Sequence, residues 1–237
     1  MKRLIPLGFI VILFLATSSL TAKDNNNFDT ETRSVKNFHA ITSGGSFNVY
    51  VKLGTTESLK IEGDSEDLNR IETVVQNGML KIRYKRDFNN WNSSTGDVNI
   101  YITAVKLDGL ILSGSGLIEL EGTMSSASAD IRLSGSGKIK ANMDTQSVGI
   151  ALSGSGNLDL GGKTGVINVS ISGSGTLNAE DLIADSGTVN VAGSGSVYVH
   201  AKENLKANLM GSGNIKYKGN PELTISKVGS GNVSKMK

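Results

Sequence analysis

The sequence contains no cysteine. That removes disulfide staples, thiolate zinc sites, a cysteine nucleophile and a lipidated cysteine anchor, so burial and hydrogen bonding alone must hold the fold. Prolines number only two, tryptophans one and histidines two in 237 residues. Net charge is missing as well. The 24 Lys and Arg face 22 Asp and Glu, and setting aside Lys2 and Arg3 leaves 22 against 22. Without a basic excess to concentrate polyanions, nucleic acid is not expected as a partner. No apolar run reaches the roughly 20 residues a membrane helix needs. The run from Leu4 to Ala16 has 13 residues and includes Pro6. Met-Lys-Arg before it and a polar stretch ending Leu20-Thr21-Ala22 give the layout of a secretory signal peptide. Residues 1–22 are therefore expected to be cleaved and the rest exported, to the periplasm, the outer surface or the medium, as a soluble chain and not an integral membrane protein. Residues 23–37 read as a linker.

Glycine, by contrast, is abundant at 29 residues, and much of it is periodic. Gly-Ser-Gly begins at Gly114, Gly135, Gly154, Gly173, Gly193, Gly211 and Gly229, with spacings of 21, 19, 19, 20, 18 and 18. The triplets close on Gly116, Gly137, Gly156, Gly175, Gly195, Gly213 and Gly231. Four residues before each first glycine stand Leu110, Ile131, Ile150, Val169, Val189, Ala207 and Ile225, all apolar. Four residues after it stand Ile118, Ile139, Leu158, Leu177, Val197, Ile215 and Val233, apolar again. Because these offsets are even, one face of an extended chain is apolar throughout, which is the period of a strand and not of a helix. Even parity also puts both glycines of a triplet on that face, as corner residues where the chain bends and coils approach closely, with the middle serine outward.

A unit of 18 to 21 residues is too short for a strand and a crossover helix. Stacking unit on unit satisfies the period: each coil pairs in parallel with the next and the apolar positions form internal ladders. The expected fold class is all-β, a parallel β-helix over residues 110–237, with coils of 18 to 21 residues. The competing architecture is an antiparallel meander with Gly-Ser-Gly as a hairpin loop, which does not ordinarily preserve in/out parity in every copy.

Residues 38–109 are strand-rich and only partly repeat-like, and read as a β-rich N-terminal cap, since repeat stacks need atypical ends. Ile41, Ser43, Gly45, Phe47, Val49 and Val51 keep the same parity around a glycine, as an early coil would. Leu59 and Ile61 give a short strand. Ile71 to Val75 and Met79 to Tyr84 flank Asn77-Gly78, a type I′ hairpin signal. Val98, Ile100 and Ile102 give another alternating strand. The lysines between Lys227 and Lys237 suit a blunted far edge.

The exported N-terminus, the Phe38 to Val51 strands, the Asn77-Gly78 hairpin and the serial Ser-Gly-Ser-Gly units at Ser113, Ser134, Ser153 and Ser172 resemble the bacterial family of putative autotransporter-adhesin head (GIN) domains, a family of unknown function. The resemblance covers about residues 38–217. It implies a right-handed β-helix-like fold and an adhesin-like role. No translocator barrel of about 100 or more residues follows Lys237, so self-transport to the surface is not expected.

Catalytic and metal constellations are not signalled, and no cofactor is expected. His39 and His200 lie apart, without a carboxylate at ligand spacing, and the serines recur in every coil where a nucleophile would occur once. Calcium β-rolls place aspartate two residues after the last glycine of a repeat. Here that position holds Ile118, Ile139, Leu158 and their apolar equivalents. Among Glu119, Asp130, Asp144, Asp159, Glu180, Asp181 and Asp185, only Glu119 and Asp159 share an outward offset, and Lys140 stands between them. Such a ladder reads as surface charge pairing, the alternative being a polysaccharide-cleaving carboxylate pair.

Two surface features are candidates for contact. The loop from Asp87 to Asp97 carries the only tryptophan, Trp91, with Asn89, Asn90 and Asn92. That composition suits a sugar ring stacked on indole with amide hydrogen bonds, or a solvated loop whose Trp91 covers the core. The outward serine pairs at 113/115, 134/136, 153/155 and 172/174 form a flat hydroxyl ladder, or simply solvate the corners. The expectation is an exported, non-catalytic interaction module, adhesin-like, whose partner is an unknown glycan or a cell-envelope or extracellular protein. A carbohydrate-active enzyme on the same scaffold is the alternative.

Overall fold

The computed structural model describes residues 28–85 and 97–236. Strands dominate it, and they form a solenoid of about seven turns with coils of about 19 residues. From the corner triplets onward the chain is laid down in order: β8 (Gly109–Gly114), β9 (Leu117–Gly135), β10 (Lys138–Gly154), β11 (Asn157–Gly173), β12 (Thr176–Gly193) and β13 (Ser196–Gly211). The short β14 (Asn214–Lys218), β15 (Glu222–Val228) and β16 (Asn232–Lys235) complete the end. Neighbouring coils pair in parallel, and Gly114, Gly135, Gly154, Gly173, Gly193 and Gly211 stack in exact register. Parallel pairing rules out the hairpin meander.

The unequal repeat lengths are absorbed away from these corners. Between β9 and β10 the partner offset is 21 at Lys140↔Glu119 and 19 from Asn142↔Thr123 onward. Comparable shifts fall between Asp159 and Gly161, and between Ala179 and Ile183. There the chain makes a second bend, with left-handed φ at Gly122 (99°), Gly162 (105°) and Gly219 (94°). Insertions at this bend leave both walls and every triplet in register.

The two glycines of a triplet do different work. Even parity suggested that both face the interior. The second is buried as expected: a Cβ on Gly156 would meet both the Leu133 side chain and the Gly137 carbonyl oxygen one coil back, each at 2.6 Å. The first is half-buried at Gly114, Gly135, Gly154, Gly173, Gly193 and Gly211, with φ between 115° and 133°. A Cβ on Gly154 would lie 2.5 Å from the carbonyl oxygen of Gly135, the same residue one coil back. That carbonyl accepts two amides, from Ser155 and Gly156, each at 3.0 Å. The first glycine is therefore required by the axial approach of backbone to backbone together with its φ, and not by interior space.

The N-terminal region departs from chain order. β2 (Ala40–Gly44) and β3 (Asn48–Leu53) form a coil that pairs in parallel with β8 and β9. On its other side, β6 (Met79–Tyr84) and β7 (Asn99–Ala104) pair in parallel with β2 and β3. The chain thus lays down an inner coil, then the outer one, then crosses back to start the repeats. Antiparallel strands finish the stack. β4 (Ser58–Asp64) pairs with β7, β5 (Ile71–Gln76) with β6, and β1 (Phe28–Arg33) with β4. The stretch read as a linker therefore contains a strand. The β5–β6 hairpin turns at Asn77 and Gly78, both with positive φ (53° and 73°), as a type I′ turn needs. Helix α1 (Ser65–Arg70) closes this pole with Leu68 buried. Arg33 ties the closure together: its guanidinium donates to the Leu68 and Ile71 carbonyls at 2.9 and 2.8 Å and pairs with Glu31 at 2.8 Å. One continuous apolar core runs from Val35 through Ile215.

Candidate functional site

Outward positions stack as rigidly as inward ones, since a ladder in register aligns both faces. Five residues after each first glycine, one row runs along the wall made of β1, β4, β7, β3, β9 to β14 and β16. At its N-terminal end Lys60, Tyr101 and Tyr50 are adjacent. Its middle is Glu119, Lys140 and Asp159. Towards the C-terminus come Asn178, Tyr198 and Lys216.

Two concavities lie on this row. One, of about 860 Å³, is lined by Tyr50, Tyr101, Lys60, Glu119 and Lys140 among others. The other, of about 580 Å³, is lined by Asp159, Asn178, Glu180, Tyr198 and Lys216 among others. In the first, the Tyr50 and Tyr101 rings stack with centroids 5.5 Å apart, and the Lys60 ammonium sits 4.6 Å from the Tyr101 centroid. In the second, the Lys216 ammonium lies 5.6 Å from the Tyr198 centroid. Both are cation–π arrangements, with a lysine one strand away from an aromatic ring.

The charges along the row are largely paired. Lys60 meets Glu62 at 2.6 Å, and Lys140 meets Glu119 at 2.9 Å. Their hydrogen bonds raise the pKa of Lys60 and of Lys140 and lower that of Glu62. Burial raises the Tyr101 phenol, with the Glu62 carboxylate beside it adding to the shift. Asp159 pairs with Lys138 at 2.6 Å. The Glu-Lys-Asp ladder read from the sequence is present in register, and it spaces Glu119 from Asp159 by two strand steps, about 10 Å, with a lysine between them. Asp144, Asp185 and Glu180 likewise pair with Lys163, Lys202 and Lys218 on other coils.

The corner serines and the two histidines do not join this row. The corner serines from Ser113 to Ser174 are exposed on the opposite side of the bend, in a row that turns apolar at Ala192, Met210 and Val228. His39 does have a carboxylate partner, Asp108 at 2.8 Å, which 69 residues of separation concealed. Among the described residues no group of three or more His, Asp or Glu is placed to hold a metal. No helix among them is long and apolar enough to cross a membrane. Trp91, Asn89, Asn90 and Asn92 lie outside the described residues. In the sequence they fall between β6 and β7. The tyrosines of the row were not singled out from the sequence. The signal was there for Tyr198, five residues after Gly193, and it needed only the offset of Glu119 and Asp159 to be continued.

A family model described as "Putative auto-transporter adhesin, head GIN domain" matches residues 37–221. The fold is similar to a putative adhesin from Bacteroides fragilis, at 26% identity and a TM-score of 0.83, covering 88% of this chain and 97% of the other. A putative lipid binding protein from Parabacteroides distasonis is 25% identical with a TM-score of 0.72, covering 90% and 98%. A putative adhesin from the same species shares the fold at 20% identity and a TM-score of 0.71, over 90% and 98%. No curated protein matches the chain.

Proposed function

The chain belongs to the auto-transporter adhesin head GIN domain family, and from that premise we propose that it is an exported, non-catalytic interaction module that binds a glycan of the cell envelope or its surroundings. One observation carries the reading: two concavities share a single outward row of tyrosines, amides and paired charges. Such a surface offers many fixed hydrogen-bond groups and no deep apolar pocket, which suits a hydroxyl-rich partner. The segment with Trp91, Asn89, Asn90 and Asn92 is proposed from its composition as a second contact.

Two measurements test this. Fractionation of cells locates the mature protein, and retention in the cytoplasm would contradict export. Glycan-array binding that falls in Tyr50→Ala/Tyr101→Ala or in Trp91→Ala supports the module, whereas loss of neither signal removes both contacts. The enzyme reading has its own signature: turnover of an anionic polysaccharide abolished by Glu119→Gln or Asp159→Asn. Both carboxylates are held in ion pairs, Glu119 with Lys140 and Asp159 with Lys138.

A further inference from the structure

We infer that the two Tyr–Lys clusters are like subsites for one ligand, an uncharged polysaccharide chain extended across the strands. The inference rests on the reading of this wall as the contact surface and goes beyond it in naming the ligand's class, length and direction. From β3, which carries Tyr50, to β13, which carries Tyr198, the sheet takes five strand steps, or about 24 Å at the usual spacing of neighbouring strands. A disaccharide cannot touch both clusters. A polymer can, and its second contact is then made at high effective concentration.

At the larger concavity charge selects against a polyanion: Lys60 and Lys140 are compensated by Glu62 and Glu119. Ring geometry selects against an apolar ligand. Both faces of Tyr101 are taken, one by Tyr50 and the other by Lys60, so a ligand meets ring edges, phenol hydroxyls and amides such as Asn178. A protein partner would be expected to anchor on exposed apolar side chains. The two most exposed of these, Val228 at 68% and Met210 at 64%, stand on the other wall.

The test is a titration of the full exported chain with neutral oligosaccharides of the chito-, cello-, manno-, xylo- and malto-series, from disaccharide to decasaccharide. In at least one series affinity is expected to rise by about 100-fold once the chain spans both subsites, and to hold steady as salt is raised. Tyr198→Ala, and separately Tyr50→Ala/Tyr101→Ala, should each drop the long chain to the affinity of the short one while leaving the melting temperature unchanged. Asn178→Ala serves as the milder companion of Tyr198→Ala should that variant fold poorly. Affinity that is flat with chain length, that collapses with salt, or that ignores these substitutions overturns the inference, as does binding to none of the five series. Glycan or protein binding sensitive to Trp91→Ala alone overturns the subsites while leaving the interaction module standing.

Discussion

The repeat stack and the N-terminal cap are made of the same coils, yet one follows chain order and the other does not. From β8 onward every coil lies on the one before it. In the cap, the coil of β6 and β7 lies beneath that of β2 and β3, and antiparallel strands seal the end. The difference teaches what a period can encode. A repeated triplet states which residues pair, because Gly135 can approach the Gly114 carbonyl only if it lacks a side chain. A single strand such as Leu59–Ile61 states its two faces and says nothing of its neighbour.

Six substitutions break or sharpen this contrast. The largest effect is expected at the axial glycines. Gly154→Val places a β-branched side chain at a left-handed φ and against the Gly135 carbonyl, so strain and overpacking together should cost about 4 kcal/mol. Ser155→Val, one residue on and exposed, should change stability by about 0.5 kcal/mol or less. Thermal melts of the pair decide it, and equal shifts would remove the axial role of the first glycine.

Next come the core positions. Leu158→Ala in the stack and Leu59→Ala in the cap each empty a site with no solvent exposure and should each cost about 2 to 5 kcal/mol. Because one core runs through both regions, each variant should melt in one transition. A separate early transition in Leu59→Ala would mean that the cap folds as its own unit.

Smaller again is Arg33→Met. It removes one donor from each of two carbonyls and the partner of Glu31 and should cost about 1 to 3 kcal/mol, seen as faster amide exchange in β1 while β10 and β11 stay protected. The same contact carries a pH dependence. Arg33 holds the Glu31 carboxyl below its ordinary range. Its stabilisation is therefore complete above the unfolded pKa and fades as pH falls through the folded one, so β1 should loosen on acidification. Least of all is Lys140→Met. Its exposed pair with Glu119 is screened by solvent, and no measurable change in melting temperature is expected.

Most of the fold was legible in residues that repeat. Parity around the triplets specified the strands, the inward ladders and parallel stacking, and Asn77-Gly78 specified its hairpin. The order of coils in the cap was not legible, because β2, β6 and β8 carry similar apolar alternation and nothing in it ranks their contacts. The strand Phe28–Arg33 escaped notice for a related reason: Asp29 to Thr32 are exposed, so no apolar face marks it. The second bend was missed because only some coils place glycine there, at Gly122, Gly162 and Gly219. At the candidate site, the charge ladder of Glu119, Lys140 and Asp159 could be counted from a fixed offset. The stacking of Tyr50 on Tyr101 could not, since 51 residues and a reversal of coil order separate them.

The most direct measurement is hydrogen–deuterium exchange of the mature chain with and without the tightest-binding oligosaccharide of the neutral series. Protection confined to β3, β7 and the wall from β9 to β14 that carries Tyr50, Tyr101 and Tyr198 is the expected result. Protection along the serine corners, or on the opposite wall around Met210 and Val228, would contradict the assignment of the binding face.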